Sequence, residues 1–339
     1  MRKPRKTGKV TLSDVALAAN VSAITVSRAL RQPSRVSPGA LARIEKAVAD
    51  LGYTPDLAAR ALASRRTDVI GALIPSVTNN VFADVLRGIY NGIAGTRYQL
   101  QLGNTRYSGL EEERLLRTFL SQRPAGLIVS GVDQTPAARQ MLEVAECPVV
   151  QIMETGPDPV DMMVGFSHRD AARAAVEHLV AAGYARIGFL GARMDPRTQR
   201  RLQGYRDAIE GTGAVDEGLI VTTLQASSVT LGGHLFGELV GRRPNVEAVF
   251  CNNDDIALGT LFEAQRRNIA VPAQLGICGF NDLEMMAATV QPLSSVVTHR
   301  GRMGEDCVAM LIEAIEGRRP ARPVVDLGFQ VVARESTQR

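Results

Sequence analysis

Thr11-Leu-Ser-Asp-Val-Ala-Leu-Ala-Ala-Asn-Val-Ser-Ala-Ile-Thr-Val-Ser-Arg28 reads as two short helices joined by a tight turn. Thr11 stands where a hydroxyl caps the first helix, Asp14 faces the positive end of its dipole, and Val15, Ala16 and Ala19 form a small apolar face. Asn20 occupies the turn, and Asn is among the few non-glycine residues that enter the left-handed region without large strain. Ser22 caps a second helix, where Val26 and Leu30 are expected to pack inward while Ala23, Ile24, Thr25 and Arg28 face outward. The pattern is that of a helix-turn-helix, with a plain helical hairpin as the bland alternative.

The next segment favours the helix-turn-helix. Ser37-Pro38 is a cap followed by proline at the first helical position, and Leu41, Ile44, Val48 and Leu51 recur at helical spacing up to Gly52. Three helices then close one small core. Residues 1–67 hold 13 Lys/Arg against 4 Asp/Glu, a net +9, and the chain's overall +4 leaves −5 for residues 68–339. A basic head on a mildly acidic body is the distribution expected when one end approaches phosphates. The candidate DNA-contacting residues of the head are Thr11, Ser22, Ala23, Ile24, Thr25, Ser27 and Arg28. Arg28 is suited to guanine or a phosphate, Ala23 and Ile24 to thymine methyls. The run Arg2-Lys-Pro-Arg-Lys6 reads as a basic tail.

The remainder is long enough, at 339 residues and 45% hydrophobic overall, to bury substantial cores. No run of about 18 apolar residues is present and no apolar segment follows the basic start, so a cytoplasmic protein without a membrane partner is expected. Cys147, Cys251, Cys278 and Cys307 lie far apart without a Cys-x-x-Cys pair, and are read as reduced thiols rather than disulfides or a metal site.

From residue 68 apolar runs alternate with helical ones, the signature of a parallel sheet covered on both faces. Strands are expected near 69–75, 99–104, 126–130 and 149–153, with helices near 80–95, 111–121 and 135–144. After a helix at 169–182 a second series has strands near 186–191, 219–224, 246–251 and 276–280, with helices near 198–211, 229–239 and 254–267. Two successive open α/β units predict two lobes and a cleft. The fold class expected is therefore an all-α helix-turn-helix head plus an α/β two-lobed unit, an architecture that also serves periplasmic binding proteins.

Open α/β sheets also host enzymes, so that reading is weighed too. The chain has no Gly-x-Ser-x-Gly elbow, phosphate loop, His-Glu-x-x-His or Gly-x-Gly-x-x-Gly after a strand. Asp254-Asp255 is read as helix-start charge rather than a catalytic pair. No catalytic residue, cofactor or metal is expected. A ligand instead belongs outside the carboxyl ends of the strands, in the interlobe cleft. Ser76, Asn79 and Phe82 follow the first strand, Arg197 and Arg201 follow the 186–191 strand, and Asn253 follows the 246–251 strand. The arginines suit a carboxylate or phosphate and the amides suit hydroxyls.

Val15-Ala16, Val21-Ser22, Thr25-Val26-Ser27-Arg28, Leu51-Gly52-Tyr53-x-Pro55 and Ala58-Ala59-Arg60-x-Leu62 together resemble the lactose-repressor (LacI/GalR) family. The resemblance extends over essentially the whole chain. Within the family it is greatest to gluconate-operon repressors, on Gly71-Ala-Leu-Ile-Pro-Ser-Val-Thr-Asn-Asn-Val-Phe82, Gly188-Phe-Leu-Gly-Ala-Arg-Met-Asp-Pro-Arg-Thr198 and Phe250-Cys-Asn-Asn-Asp-Asp-Ile-Ala-Leu-Gly259. It implies a head over 8–52 and a hinge over 53–67 with Leu62 wedged in the minor groove. A helix as short as the alanine-rich 56–63 is marginal alone and is expected to order only on DNA, the alternative being a linker helix with Leu62 packed on the sensor. It further implies a sensor over 68–339 with discontinuous lobes, about 68–168 with 298–325 and about 169–297 with 326–339. Arg201 matches the family's effector-contacting arginine, and Asn253-Asp254 its Asn-Asp pair. Asn281 stands where the family usually presents Asp, and Ser130 and Glu154 fall at cleft-facing strand ends, Glu154 one residue late. The function this predicts is a cytoplasmic, homodimeric repressor released from a near-palindromic operator by a gluconate-like sugar acid or its phosphate. The alternatives are a related regulator for another sugar or a purine, and a sugar-acid enzyme.

Overall fold

The structure is a computed structural model that describes residues 10–54, 67–211, 213 and 215–339. Its contacts divide the chain between Thr67 and Asp68 into two units. In the first, α1 (Leu12–Ala19) starts on a reciprocal cap: Thr11 Oγ1 accepts the Asp14 N–H at 3.4 Å, and Asp14 Oδ2 accepts the Thr11 N–H at 2.8 Å. Asn20 ends it with φ at 51°, the left-handed turn residue expected of it. Ser22 Oγ accepts the Thr25 N–H at 3.2 Å and starts α2 (Ala23–Arg31). α3 (Pro38–Leu51) begins with Pro38 in its first turn and stops at Gly52, φ 61°. Ser37 precedes it without a side-chain capping bond.

Val15, Ala16, Ala19, Val26, Ala29, Ile44, Ala47 and Tyr53 form the core of this unit. Two expectations are corrected here. Leu30 and Leu51 are exposed, at 39% and 37%. Helices this close accept the methyl of Ala29, one position nearer the centre of the α2 stripe, and the chain turns back at Gly52 so that the Tyr53 ring closes the core where Leu51 was expected.

The second unit opens with five parallel strands, β1 (Val69–Ile74), β2 (Gln99–Asn104), β3 (Gly126–Ser130), β4 (Val149–Ile152) and β5 (Met162–Gly165). Helices α4 (Asn80–Ile93), α5 (Gly109–Ser121) and α6 (Pro136–Glu143) connect the first four of them. After α7 (His168–Ala181) come β6 (Ile187–Ala192), β7 (Ile220–Thr223), β8 (Ala248–Cys251) and β9 (Gly276–Cys278), with α8 (Pro196–Glu210), α9 (Val229–Arg242) and α10 (Asp254–Arg266) between them. These strands make a second parallel sheet. The chain finishes with α11 (Met285–Ala288), β10 (Ser295–Val297), α12 (Arg300–Ile315), β11 (Val324–Asp326) and β12 (Gln330–Val332).

The first sheet runs β11-β5-β4-β3-β1-β2 and the second β7-β6-β8-β9, while β10 and β12 pair as an antiparallel ribbon. α12 returns to pack on α4, and α7 packs on α8. β5, α12 and the short elements near the end were not expected from the sequence. Three- and four-residue strands leave no periodicity to find, and Gly301 and Gly304 interrupt the apolar repeat of α12. Gly304 is required there, because a Cβ would overlap the Val85 carbonyl oxygen of α4. In each sheet the strand order reverses beside its first strand, β1 or β6, which places a crevice at the carboxyl ends of β1, β6 and β8.

Candidate functional site

On the head, Thr11, Ser22, Ile24 and Arg28 are exposed, and Ala23, Thr25 and Ser27 are half-buried. Ile24 shows 71% of its surface, a large apolar side chain left in solvent at the start of α2. The Thr11 and Ser22 hydroxyls are engaged in their caps, and the Ser22 and Thr25 hydroxyls lie 2.8 Å apart. Arg43 was not singled out from the sequence. Its Nε donates to the Ala19 carbonyl at 3.1 Å and so closes the end of α1. Of the expected hinge over 53–67, residues 55–66, Leu62 among them, lie outside the described residues, and Tyr53 belongs to the core of the head.

In the second unit a cleft opens at the strand ends, lined by Asn79, Phe82, Tyr107, Arg193, Arg197, Arg201, Asn252, Asn253, Asp255 and Asn281 among others. α8 supplies its centre. Asp195 caps that helix through the Thr198 N–H at 2.9 Å and lies 3.4 Å from Arg197 Nη2. One turn on, Arg201 is buried, its guanidinium carbon 3.8 Å from the centroid of Phe280. Nε and Nη2 of Arg201 each lie 3.2 Å from His168 Nδ1, and Nη1 donates to the Asn252 carbonyl. Burial pulls its pKa down to about 10, which leaves it charged at neutral pH.

Asn79 Oδ1 caps α4 through the Val81 N–H at 3.0 Å, while its Nδ2 donates to the Tyr107 hydroxyl at 3.1 Å. Arg193 lies over the Tyr107 ring at 3.8 Å, and Arg197 lies 5.6 Å from the centroid of Phe82. Asn253 Oδ1 caps α10 and accepts from Ser227 Oγ at 2.8 Å. Asn281, φ 111°, gives its N–H to the Val296 carbonyl and its own carbonyl to Arg300, and its buried Oδ1 has no partner. Asp254 is enclosed, accepting from the Leu283 N–H and Ser295 Oγ, each at 2.7 Å. Burial pushes its carboxyl up to about 7. Its contacts are those of a brace between loops.

Three sequence candidates stand apart from the lining. Ser76 Oγ accepts the N–H groups of Thr78 and Asn79 in the turn before α4. Ser130 faces an adjoining recess with Thr105, Glu112 and Gln134, which meets the cleft at Tyr107, Asp195 and Arg197. Glu154 is buried, its Oε1 accepting from Thr155 and His168 N–H and its Oε2 lying 3.6 Å from Arg200. Burial pushes it up to about 7. Tyr107 and His168 were missed from the sequence, and Arg193 and Asn252 were read only as members of the segments that follow their strands; the folded chain brings the four to one site. Among the described residues, Ser130 Oγ, Glu154 Oε2, His168 Nε2, Asn281 Oδ1 and Arg206 Nε are buried without hydrogen-bond partners. All but Arg206 lie at the cleft, beneath it or in its recess, where such groups mark a binding site better than a core.

Comparison with known proteins agrees with this geometry. The family of bacterial regulatory proteins of the lacI type matches residues 11–56, and the periplasmic binding protein-like domain matches residues 176–337. The HTH-type transcriptional regulator GntR of Pseudomonas aeruginosa is 40% identical over 99% of this chain and 98% of its own length. A LacI-family transcriptional regulator from Silicibacter pomeroyi superposes with a TM-score of 0.90 at 34% identity, covering 97% of this chain and all of that one. The transcription regulator GntR from Chromobacterium violaceum gives 0.77 at 38% identity, over 80% of this chain and 100% of its own. A helical head of this kind, a two-sheet unit with its cleft and regulators related over the full length together settle the assignment: the chain belongs to the lacI family of bacterial transcriptional regulators.

Proposed function

We propose that this DNA-binding regulator represses sugar-acid utilisation genes as a homodimer on a near-palindromic operator and is released by gluconate or a close analogue in its cleft. The observation that carries the ligand class is Arg201. It is a buried, charged guanidinium on a cleft wall, held by neutral acceptors, in a cleft that the amides of Asn79, Asn253 and Asn281 also line. A guanidinium held by neutral groups, with Arg193 and Arg197 in the same lining and amides and aromatic faces beside it, suits a carboxylate on a chain of hydroxyls. The resemblance to GntR regulators points the same way. Family membership makes the chain a regulator rather than an enzyme, and no helix among the described residues is long and apolar enough to cross a membrane. A cytoplasmic location, a head over 8–52, a hinge over 53–67 and a sensor over 68–339 complete the proposal.

The test is operator-fragment binding by fluorescence anisotropy, titrated with gluconate, its 6-phosphate, neutral sugars and purines. Gluconate is expected to release the protein, and Arg201→Ala to abolish that release, losing about 1.5–3 kcal/mol of ligand affinity. Release by a neutral sugar or a purine alone, or an Arg201→Ala protein that responds at the parent's concentration, refutes the assignment.

A further inference from the structure

Two arginines of the second unit are buried, Arg201 and Arg300, and the fold holds them differently. Arg300 meets a carboxylate, Asp84 Oδ2, at 2.8 and 3.1 Å. Arg201 has no ion-pair partner among the described residues, although acidic groups lie nearby. Asp195 is engaged by Arg197 and by the α8 cap, and Glu154 by Arg200 and two backbone N–H groups. Burying a guanidinium without a counter-charge is costly, so a fold that does so at a cleft wall is arranging that charge for something else.

The acceptor that replaces a carboxylate is His168, the first residue of α7, placed against α8 by the packing of the two helices. Arginine nitrogens only donate, so the Nδ1 that faces both Nε and Nη2 of Arg201 accepts, and the ring carries its proton on Nε2. The ring is fully buried, 4.4 Å from Phe166 and 5.8 Å from Phe280 between centroids. Burial, reinforced by the charges of Arg201 and Arg197, holds it neutral. Phe280 covers a face of the guanidinium, and Asn252 takes one proton of Nη1. Of the five N–H groups this leaves one on each Nη uncommitted, donors that suit a carboxylate.

We propose that His168 is a positioning residue for ligand recognition: a neutral acceptor that fixes the Arg201 guanidinium against Phe280 while leaving the place of a directly bonded counter-ion to an anionic ligand. It rests on the reading that Arg201 meets the carboxylate of the effector. A carboxylate at 168 would hold Arg201 equally well and cancel its charge. An aliphatic side chain would leave the charge and lose the hold.

Three substitutions separate these cases, measured by calorimetric titration with potassium gluconate and checked for cooperative thermal unfolding. His168→Asn, whose amide oxygen replaces Nδ1 as acceptor, is expected to stay within about threefold of the parent, and His168→Asp and His168→Leu to lose about tenfold or more. A His168→Asp protein that binds gluconate like the parent overturns the proposal, as does an Asn variant as impaired as the Leu one. If the parent does not bind gluconate, the effector assignment has failed, and a second measurement decides the role of His168. In nitrogen-15 spectra of the unsubstituted protein, which has four histidines, His168 is expected to show an unprotonated Nδ1 and a protonated Nε2 that do not titrate between about pH 5 and 8. A protonated Nδ1, or titration within that range, overturns it, and the same spectra decide if the variants fail to fold.

Discussion

Arg28 and Glu154 show how far a single side chain carries function here. Arg28 is exposed on α2, the helix that the motif assigns to base reading. Arg28→Ala is expected to cost about 1–3 kcal/mol of operator affinity and to relax base preference at one position per half-site, as read by competition binding. Unchanged affinity and preference would remove Arg28 from the recognition set. Glu154 is a buried carboxyl whose pKa burial raises from 4.5 to about 7. The native state therefore binds the proton more tightly than the unfolded chain does. Its contribution to stability is fully present below pH 4.5 and is lost as pH rises through 7, with a slope of up to about 1.4 kcal/mol per pH unit. Asp254, raised to about 7 from 3.8, acts in the same direction. The buried, neutral His168 opposes this fall below its ordinary pKa of 6.5, so urea unfolding should show stability falling with pH between about 6.5 and 8, and Glu154→Gln should flatten that fall. A Gln variant with the parent's slope would assign the pH dependence elsewhere.

At the scale of elements, helix pairs position the cleft, and glycine sets how close they come. A Cβ on Gly204 of α8 would overlap the Arg169 carbonyl oxygen of α7 and lie 2.9 Å from the Arg173 nitrogen. Backbone atoms cannot swing aside as a side-chain tip can, so the two helices would have to part. Gly204→Ala is expected to destabilise the unit by about 1–3 kcal/mol. It should also weaken gluconate binding, because α8 carries Arg197 and Arg201 and α7 begins at His168. A variant as stable as the parent by urea unfolding would show that the interface yields elsewhere. The reciprocal cap at Thr11 is the counterpart on the head: Thr11→Ala is expected to cost about 1 kcal/mol of helix stability, measured as a lower midpoint for the unit that contains α1.

For the whole molecule, repression requires two heads on one operator and a ligand that distinguishes two arrangements of the sensor. Light scattering is expected to show a dimer at micromolar concentration, since a near-palindromic operator is read by two heads related by a twofold axis. A monomer that does not associate on operator DNA would contradict it. The net +9 of residues 1–67 predicts operator affinity that falls steeply with salt, whereas ligand affinity, which depends on buried Arg201, should fall much less.

The sequence alone determined the elements whose cause is local. Thr11, Asn20, Ser22, Pro38 and Gly52 mark helix ends through bonds and dihedral angles within a few residues, and each boundary stands where those residues put it. The long apolar strands were legible for the same reason, their burial being written in consecutive residues. Position after a strand end pointed to the segments that hold Asn79, Phe82, Arg197, Arg201 and Asn253, because in open α/β sheets the crevice follows from strand order, and the family resemblance singled out Arg201 and Asn253 within them. Whether those residues are satisfied, and by what, was settled only in three dimensions. Ser76 and Ser130 carry the same hydroxyl, yet one closes a turn and the other ends in a separate recess. His168 lies 33 residues before Arg201, and Phe280 lies on a third segment. No periodicity links them, because the contact is made by α7 packing on α8 across a glycine, and the neutral hold on a buried charge is a property of that packing.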